Sequence, residues 1–365
     1  MMKMQYYVMK TGMEMFDACR AYGLALVLDT IARIKDIDSR LCIEDVGPYY
    51  LVDGPQIDEI PSDLEKDTNW ISLFSQNNSW NYIFLTTLSQ NRKDKKREEY
   101  QKEATNKIGD ILQNYSRLGY VPKIAAEGSA GRNEKSAGYD TIYMSIEVRA
   151  GKGIRSFVRD RYGEGEQLQA PKADLSLAYL GGAHFMHWVW GDTAVGILPA
   201  PERVILRNHC EIQKLLLEDR INKLSLITIL ANYAVNLAER IRKIKADGTS
   251  YASSYSKLIY NALVRTGTQW KPASAGLFPL GFFWQMINDN NRYSEEIFRV
   301  WKDLFEKGSR KGREDLAFSL SEFLTYPNLA SLENHMNVHL RYLLSKEVLI
   351  RTYSKENMQL VMKYV

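Results

Sequence analysis

Residues 149–161 concentrate the side chains best suited to gripping an anion. Arg149, Lys152, Arg155, Arg159 and Arg161 stand against a single acid, Asp160, and glycines at 151, 153, 163 and 165 surround them. Guanidinium forks bind two phosphate oxygens at once, and glycines let backbone N–H groups approach an anion closely. Phe157 and Tyr162 lie among the cations and carry the π-faces on which unpaired bases stack. The segment leaves residues 139–149, whose alternation and β-branched and aromatic content predict a strand. A glycine-flanked basic loop leaving a strand suits a nucleic-acid backbone; the competing reading is a solvated hairpin tip. A second basic run, residues 307–313, holds Lys307, Arg310, Lys311 and Arg313 without an acid. It falls between predicted helices, and Arg310 and Lys311 are assigned to phosphate contact. A third, residues 240–245, ends a predicted helix, where cations also complement the helix dipole.

Catalytic signatures are missing. Residues 128–136 hold two glycines and Lys135, but the residue directly before the lysine is Glu134, not the glycine that a phosphate loop needs there. The chain has no GxSxG, HExxH or CxxC pattern. His184 and His187 are three apart, and His335 and His339 are four apart on a predicted helix. Two ligands do not close a zinc site, which takes three or four, so both pairs are read as packed histidines. No catalytic residue, cofactor or metal ligand is assigned. Two other functional classes remain open at this level: a metal-dependent nucleic-acid-processing enzyme using scattered carboxylates, and a helical scaffold whose basic loops are merely solvated.

The elements that must position these loops follow from patterning. Apolar spacing predicts a buried helix over residues 11–33, with Thr11 and Glu14 as its capping box. Residues 41–52 read as strand, broken at Gly47-Pro48. The charged run 91–107 predicts a solvated helix reaching about residue 118. Residues 174–206 read as a small sheet, with a helix at 175–179 or longer as the alternative. Beyond residue 208 helical spacing takes over: 212–245 as one long helix, then 255–264, 282–288, 295–307, 313–324 and 329–353, interrupted at 267–281. The fold class is therefore α+β: a mixed N-terminal domain with a small antiparallel sheet, residues 1–208, followed by a C-terminal helical bundle, residues 209–365.

The chain has 365 residues, 45% hydrophobic and 25% charged, with a net charge of +4. These values exclude wholesale disorder, collagen and a disulfide miniprotein. No run approaches the ~18 apolar residues of a membrane span, and residues 1–10 lack a leader pattern. Cys19, Cys42 and Cys210 are odd in number and scattered, which fits a reducing compartment and a cytoplasmic protein.

Thr11-Gly12, then Met15-Phe16-Asp17-Ala18 and Gly23-Leu24-Ala25, resemble the opening of the large subunits of type I CRISPR interference (Cascade) complexes. Cys19-Arg20 stands where that family often has glycine. The small-residue stretch at 175–188 and the following strand at 196–204 are also similar to the family. The resemblance implies a non-catalytic subunit of a CRISPR-RNA-guided DNA surveillance complex. Its partners would be CRISPR RNA, target DNA, the other subunits and a separate helicase–nuclease. It would help recognise the motif flanking the target, hold displaced DNA and recruit the nuclease. The loop at 149–161 is assigned to DNA contact by charge and placement, not by a family motif.

If that loop holds a phosphate backbone, changing Lys152, Arg155 and Arg159 together to Ala lowers DNA affinity at every sequence. The log–log salt slope, roughly −0.9 per duplex phosphate neutralised, flattens by up to about three units. Unchanged affinity and slope, alone and in an assembled complex, would leave a solvated tip.

Overall fold

The computed structural model describes residues 3–37, 40–57, 59–60, 90–126, 138–150, 168–191, 193–243, 254–267, 269–289, 291–345 and 348–365. The fold is mixed α+β. In chain order the elements are β1 (Lys3–Met9), α1 (Glu14–Ile34), β2 (Cys42–Asp45), β3 (Tyr49–Pro55), α2 (Gln90–Asn106), α3 (Ile108–Tyr115), β4 (Ala125–Ala126), β5 (Tyr139–Thr141), β6 (Leu168–Pro171) and α4 (Lys172–Phe185). Then come β7 (His187–Val189), β8 (Thr193–Pro201), β9 (Arg203–Ile205), α5 (Leu206–Leu216), α6 (Leu226–Lys243), β10 (Tyr255–Thr266) and β11 (Gln269–Pro279). Helices α7 (Gly281–Asp289), α8 (Asn291–Lys307), α9 (Glu314–Thr325), α10 (Leu329–Ser345) and α11 (Lys355–Met362) close the chain.

Two compact units form. The first comprises Met1–Trp188, Asp192–Cys210 and Ile259–Gly276; the second comprises Val189–Gly191, Glu211–Leu258 and Leu277–Val365. The division differs from a single cut at residue 208, because the hairpin segment 259–276 joins the first unit.

In the first unit, one sheet runs β1-β3-β2-β9, with β1, β3, β2 and β9 paired antiparallel. Tyr6 lies opposite Val52 and Val8 opposite Tyr50, and all four are buried, as the two-residue period of a half-buried sheet requires. Helices α1 and α4 touch backbone to backbone. A Cβ on Gly23 would sit 2.0 Å from the Leu177 carbonyl oxygen, and one on Gly181 2.0 Å from that of Cys19. Only glycine permits such an approach. The predicted capping box is replaced: Thr11 gives its backbone N–H and hydroxyl to Asp17, at 2.8 and 2.9 Å.

Several elements differ from their sequence patterns. The run 139–149 is strand only as far as Thr141, because its partner β6 is four residues long. Beyond Ile142 the chain turns, with Ile146 and Glu147 both donating to the Tyr143 carbonyl. Residues 172–185 are the helical alternative, buried along almost their whole length, so no periodic stripe marks them. The charged helix breaks at Lys107 into α2 and α3. Residues 255–264 are strand rather than helix. The order β11-β10-β8-β7 makes β10 an interior strand, apolar on both faces. Residues 267–281 hold β11, an edge strand, where Pro272 removes no needed N–H.

In the second unit, the predicted helix 212–245 is two helices, α5 and α6, separated by residues 217–225. Asn222 fixes that break: its N–H donates to Asn232 Oδ1 at 2.8 Å, and its amide donates to the Phe305 carbonyl at 2.9 Å. Leu216, Leu230, Val235 and Leu237 are buried, whereas Leu215 is half-buried and Ile227 is 45% exposed. Trp301 is fully buried against Phe282, Phe283, Phe298 and Phe323. Helix α10 ends at Ser345 rather than continuing to residue 353.

Overpacking a core costs about 1–3 kcal/mol, or roughly 2–12 °C in a unit of this size. Gly23→Ala is expected to lower the thermal midpoint by that much. Gly109→Ala, on α3 with only the Ile60 methyl 3.5 Å away, is expected to be neutral or stabilising. Equal midpoints for wild type and Gly23→Ala would overturn the close helix contact.

Candidate functional site

Several cations of the first unit are spent on its interior. Arg149 wraps a buried acid: its Nε and Nη2 donate to the two Glu147 carboxylate oxygens at 2.7 and 3.0 Å. The Glu147 side chain has no exposure, and burial pushes its carboxyl above the usual range while Arg149 opposes the shift. The predicted role of Arg149 in phosphate contact therefore competes with a buried counter-ion. Lys152, Arg155, Arg159 and Arg161 lie outside the described residues. The turn at Ser145–Ile146 is held by Asn261 of β10, whose amide donates to the Ser145 and Ile146 carbonyls at 3.2 and 3.0 Å.

A second centre had no motif to announce it. Arg20 on α1 is fully buried. Its Nη2 donates to the Met9 carbonyl at 2.6 Å and to Asp17 Oδ1 at 2.7 Å, and its Nη1 donates to Tyr115 Oη at 3.1 Å. Asp174 on α4 lies 3.8 Å away and accepts from Tyr115 and Tyr120 at 2.5 and 2.9 Å. Burial raises the Asp174 carboxyl, and Arg20 pulls it back. Beside Asp174 a cavity of about 230 Å³ is lined by Glu103, Lys107, Asp110, Tyr120 and Lys172 among others. The available sequence signal was Asp17 and Arg20 in the middle of an apolar helix. With both aspartates engaged, the cluster ties β1, α1, α3 and α4 together.

The second unit arranges its cations in two ways. Arg240 and Arg242 are paired: Arg240 forks onto Asp219 at 2.7 and 2.9 Å, and Arg242 meets Glu295 at 2.8 Å. Lys302 bridges Asp219 and Glu239 at 3.3 and 2.5 Å. Arg240 and Arg242 are thus internal cement. The α8–α9 loop is different. Arg310 and Lys311 are exposed. Among the described residues, the side chains of Lys307, Arg310, Lys311 and Arg313 carry no ion pair. The two acids that follow the loop are occupied. Glu314 accepts the Gly312 N–H at 2.7 Å, while Asp315 accepts the Tyr342 hydroxyl at 2.7 Å and pairs with Arg341. Gly312, at φ 85°, adopts the left-handed turn that glycine favours. The loop rims an open cleft of about 440 Å³ lined by Gly312, Glu314, Asp315, Arg341, Tyr342 and Ser345.

The histidine pairs do not converge with other ligands. His335 Nε2 lies 2.8 Å from Tyr353 Oη, and His339 Nε2 lies 2.8 Å from the Arg351 carbonyl. His184 is on α4 and His187 on β7. Among the described residues, no three His, Cys, Asp or Glu side chains gather as a metal site would need. His209, which no pattern singled out, is buried between the rings of Tyr22 and Phe185 at 4.4 and 4.6 Å.

No family model matches the chain. It is similar to an uncharacterized protein of Archaeoglobus fulgidus, with 28% identity over 372 aligned residues that span 99% of this chain and 98% of that protein.

Burial depresses His209 and His335 to about 3, against about 6.5 in an unfolded chain. Between those values the unfolded chain binds protons that the folded one refuses. Stability is therefore full above pH 6.5 and is lost as pH falls, by up to about 1.4 kcal/mol per pH unit for each histidine. His209→Phe, a neutral ring in the same stack, is expected to flatten the slope of unfolding free energy between pH 6.5 and 5 by one such increment. An unchanged slope would contradict the buried neutral histidine.

Proposed function

We propose that the protein is a non-catalytic nucleic-acid-binding subunit that holds phosphate backbone through the α8–α9 loop. The observation that carries this reading is the contrast within one unit: Arg240 and Arg242 are matched by carboxylates, whereas among the described residues Lys307, Arg310, Lys311 and Arg313 are not. Unmatched cations on a loop beside an open cleft keep their full charge for an outside anion. Each phosphate they neutralise releases counterions, so affinity is gained without reading sequence. Phosphate contacts of this kind set register, and base identity must come from elsewhere.

The resemblance to the large subunits of type I CRISPR interference complexes extends the proposal. In that setting guide pairing reads the target, and the protein reads a short flanking motif and backbone; the general division is known from a different effector. CRISPR RNA, target DNA, companion subunits and a helicase–nuclease would be the partners. The basic loop at 152–161 would add contacts to those of Arg310 and Lys311.

Measurement of duplex-DNA affinity against salt tests the reading. Arg310→Ala/Lys311→Ala is expected to weaken binding at every sequence and to flatten the log–log slope by up to about two units. Thermal stability should stay within ~0.5 kcal/mol, as for exposed substitutions generally. Wild-type affinity and slope in the double variant, both alone and in an assembled complex, would remove the proposal's support.

A further inference from the structure

The cavity beside Asp174 holds one carboxylate that the rest of the first unit leaves unanswered. Glu103, Lys107, Asp110 and Asn114 recur at four-, three- and four-residue steps from α2 into α3. One helical face therefore supplies them, and all four line the cavity of about 230 Å³. Both lysines of the lining are already matched: Lys107 pairs with Asp110 at 3.1 Å, and Lys172 pairs with Glu99 at 2.6 Å. The half-buried Glu103 carboxylate takes part in no hydrogen bond or ion pair among the described residues. Asp174, also in the lining, is buried and accepts from the Tyr115 and Tyr120 hydroxyls, as an ionised carboxylate does. With Asp17 it sets two carboxylates against the single guanidinium of Arg20. The local balance of charge is negative. The rings of Tyr115 and Tyr120 lie 5.3 Å apart at 65° and give the cavity an aromatic corner, while Ile111 and Pro171 add apolar wall.

We infer that this cavity binds a small primary alkylammonium ion, whose nitrogen meets the Glu103 carboxylate while its chain lies against the tyrosine rings and Ile111. A lining with a spare negative charge and no spare cation draws positive ligands and turns away carboxylates and phosphates. The positive end of α4, which would otherwise favour an anion, is answered by Asp174 in its own first turn. A primary ammonium brings three N–H donors. Glu103 and the side-chain oxygen of Asn114 are acceptors for them, and a tyrosine face attracts the charge itself. A quaternary nitrogen donates nothing and would leave those acceptors unmet. Such ions are taken by aromatic cages, and two rings close one corner only. A metal ion fits less well, because among the described residues no three His, Cys, Asp or Glu side chains gather to hold one. The site belongs to the first unit and does not rest on the α8–α9 loop.

The test is calorimetric titration of the full chain at neutral pH with butylammonium chloride, tetramethylammonium chloride and sodium butyrate, all at one ionic strength. Butylammonium is expected to bind saturably at one site per chain, and the other two to give no saturable heat. Glu103→Gln, which keeps the shape and removes the charge, is expected to weaken butylammonium by roughly tenfold to a hundredfold. Tyr120→Leu is expected to weaken it by roughly twofold to thirtyfold. Glu98→Gln removes an equal charge at an exposed position of the same helix and is expected to leave the affinity unchanged. Glu103→Gln, at a half-buried helix position, informs even if Tyr120→Leu fails to fold. The inference is overturned if butylammonium gives no saturable binding, or if tetramethylammonium or butyrate binds as tightly. It is equally overturned if Glu103→Gln stays within twofold of wild type, if Glu98→Gln weakens binding as much as Glu103→Gln, or if a folded Tyr120→Leu protein binds as wild type does.

Discussion

The first unit depends on two helices whose backbones touch. At Gly23 and Gly181 there is no room for a Cβ, so α1 and α4 approach as side-chain-bearing helices cannot. The approach brings the polar atoms of both helices into a space without water. Arg20 is then obliged to be satisfied from inside the protein, and Asp17, Asp174, Tyr115 and the Met9 carbonyl do so. Removing one partner of such a buried group costs far more than the interaction contributes net, because the charge left behind stays desolvated. The cluster thereby fixes how β1 and α3 dock on the helix pair. Close packing and buried charge are one constraint here, each making the other necessary.

The same bookkeeping of charge separates structural cations from those left over. A net charge of +4 on 365 residues says little about function. What matters is which cations already have a carboxylate. Lys96 on α2 meets the buried Asp140, which also accepts the Tyr100 hydroxyl, and Lys172 meets Glu99. The charged α2 is thus partly an inner face of the first unit, not a wholly solvated helix. Arg149, Arg240 and Arg242 are likewise committed. Of the residues assigned to nucleic acid from sequence, Arg310 and Lys311 are the described ones whose charge is unspent.

Much of the fold was legible where burial is one-sided. Residues 41–52 read as strand broken at Gly47-Pro48, and the bend between β2 and β3 falls there. The long apolar stretch of α1 and the helices α7, α8 and α9 also followed from spacing. Legibility failed where an element is buried all round. In β10 the buried positions Tyr255, Leu258, Ile259, Ala262 and Leu263 fall at the three- and four-residue spacing of a helix. They do so because an interior strand is apolar on both faces. In α4 nearly every position is covered, so the period vanishes and β-rich residues such as Tyr179 mislead. The candidate site was legible only as excess charge. Whether a cation is spent depends on acids far away in sequence, such as Asp219 against Arg240.

The hairpin misread has a structural consequence. Taken as a helix and a proline-broken loop, residues 255–279 offer scattered cations on a surface. As two long strands they become a lever: the base is gripped by burial, by Tyr260 over Gly276 and by Asn261 on the 145–146 turn, so the exposed end is held in place. Asn261 also joins the two features that sequence kept apart. It belongs to β10, which ends at Thr266, and it holds the turn at Ser145–Ile146 that precedes the basic run in sequence. Loss of the Asn261 amide would free both Ser145 and Ile146 carbonyls in a buried setting, where each unmet acceptor carries its own desolvation cost.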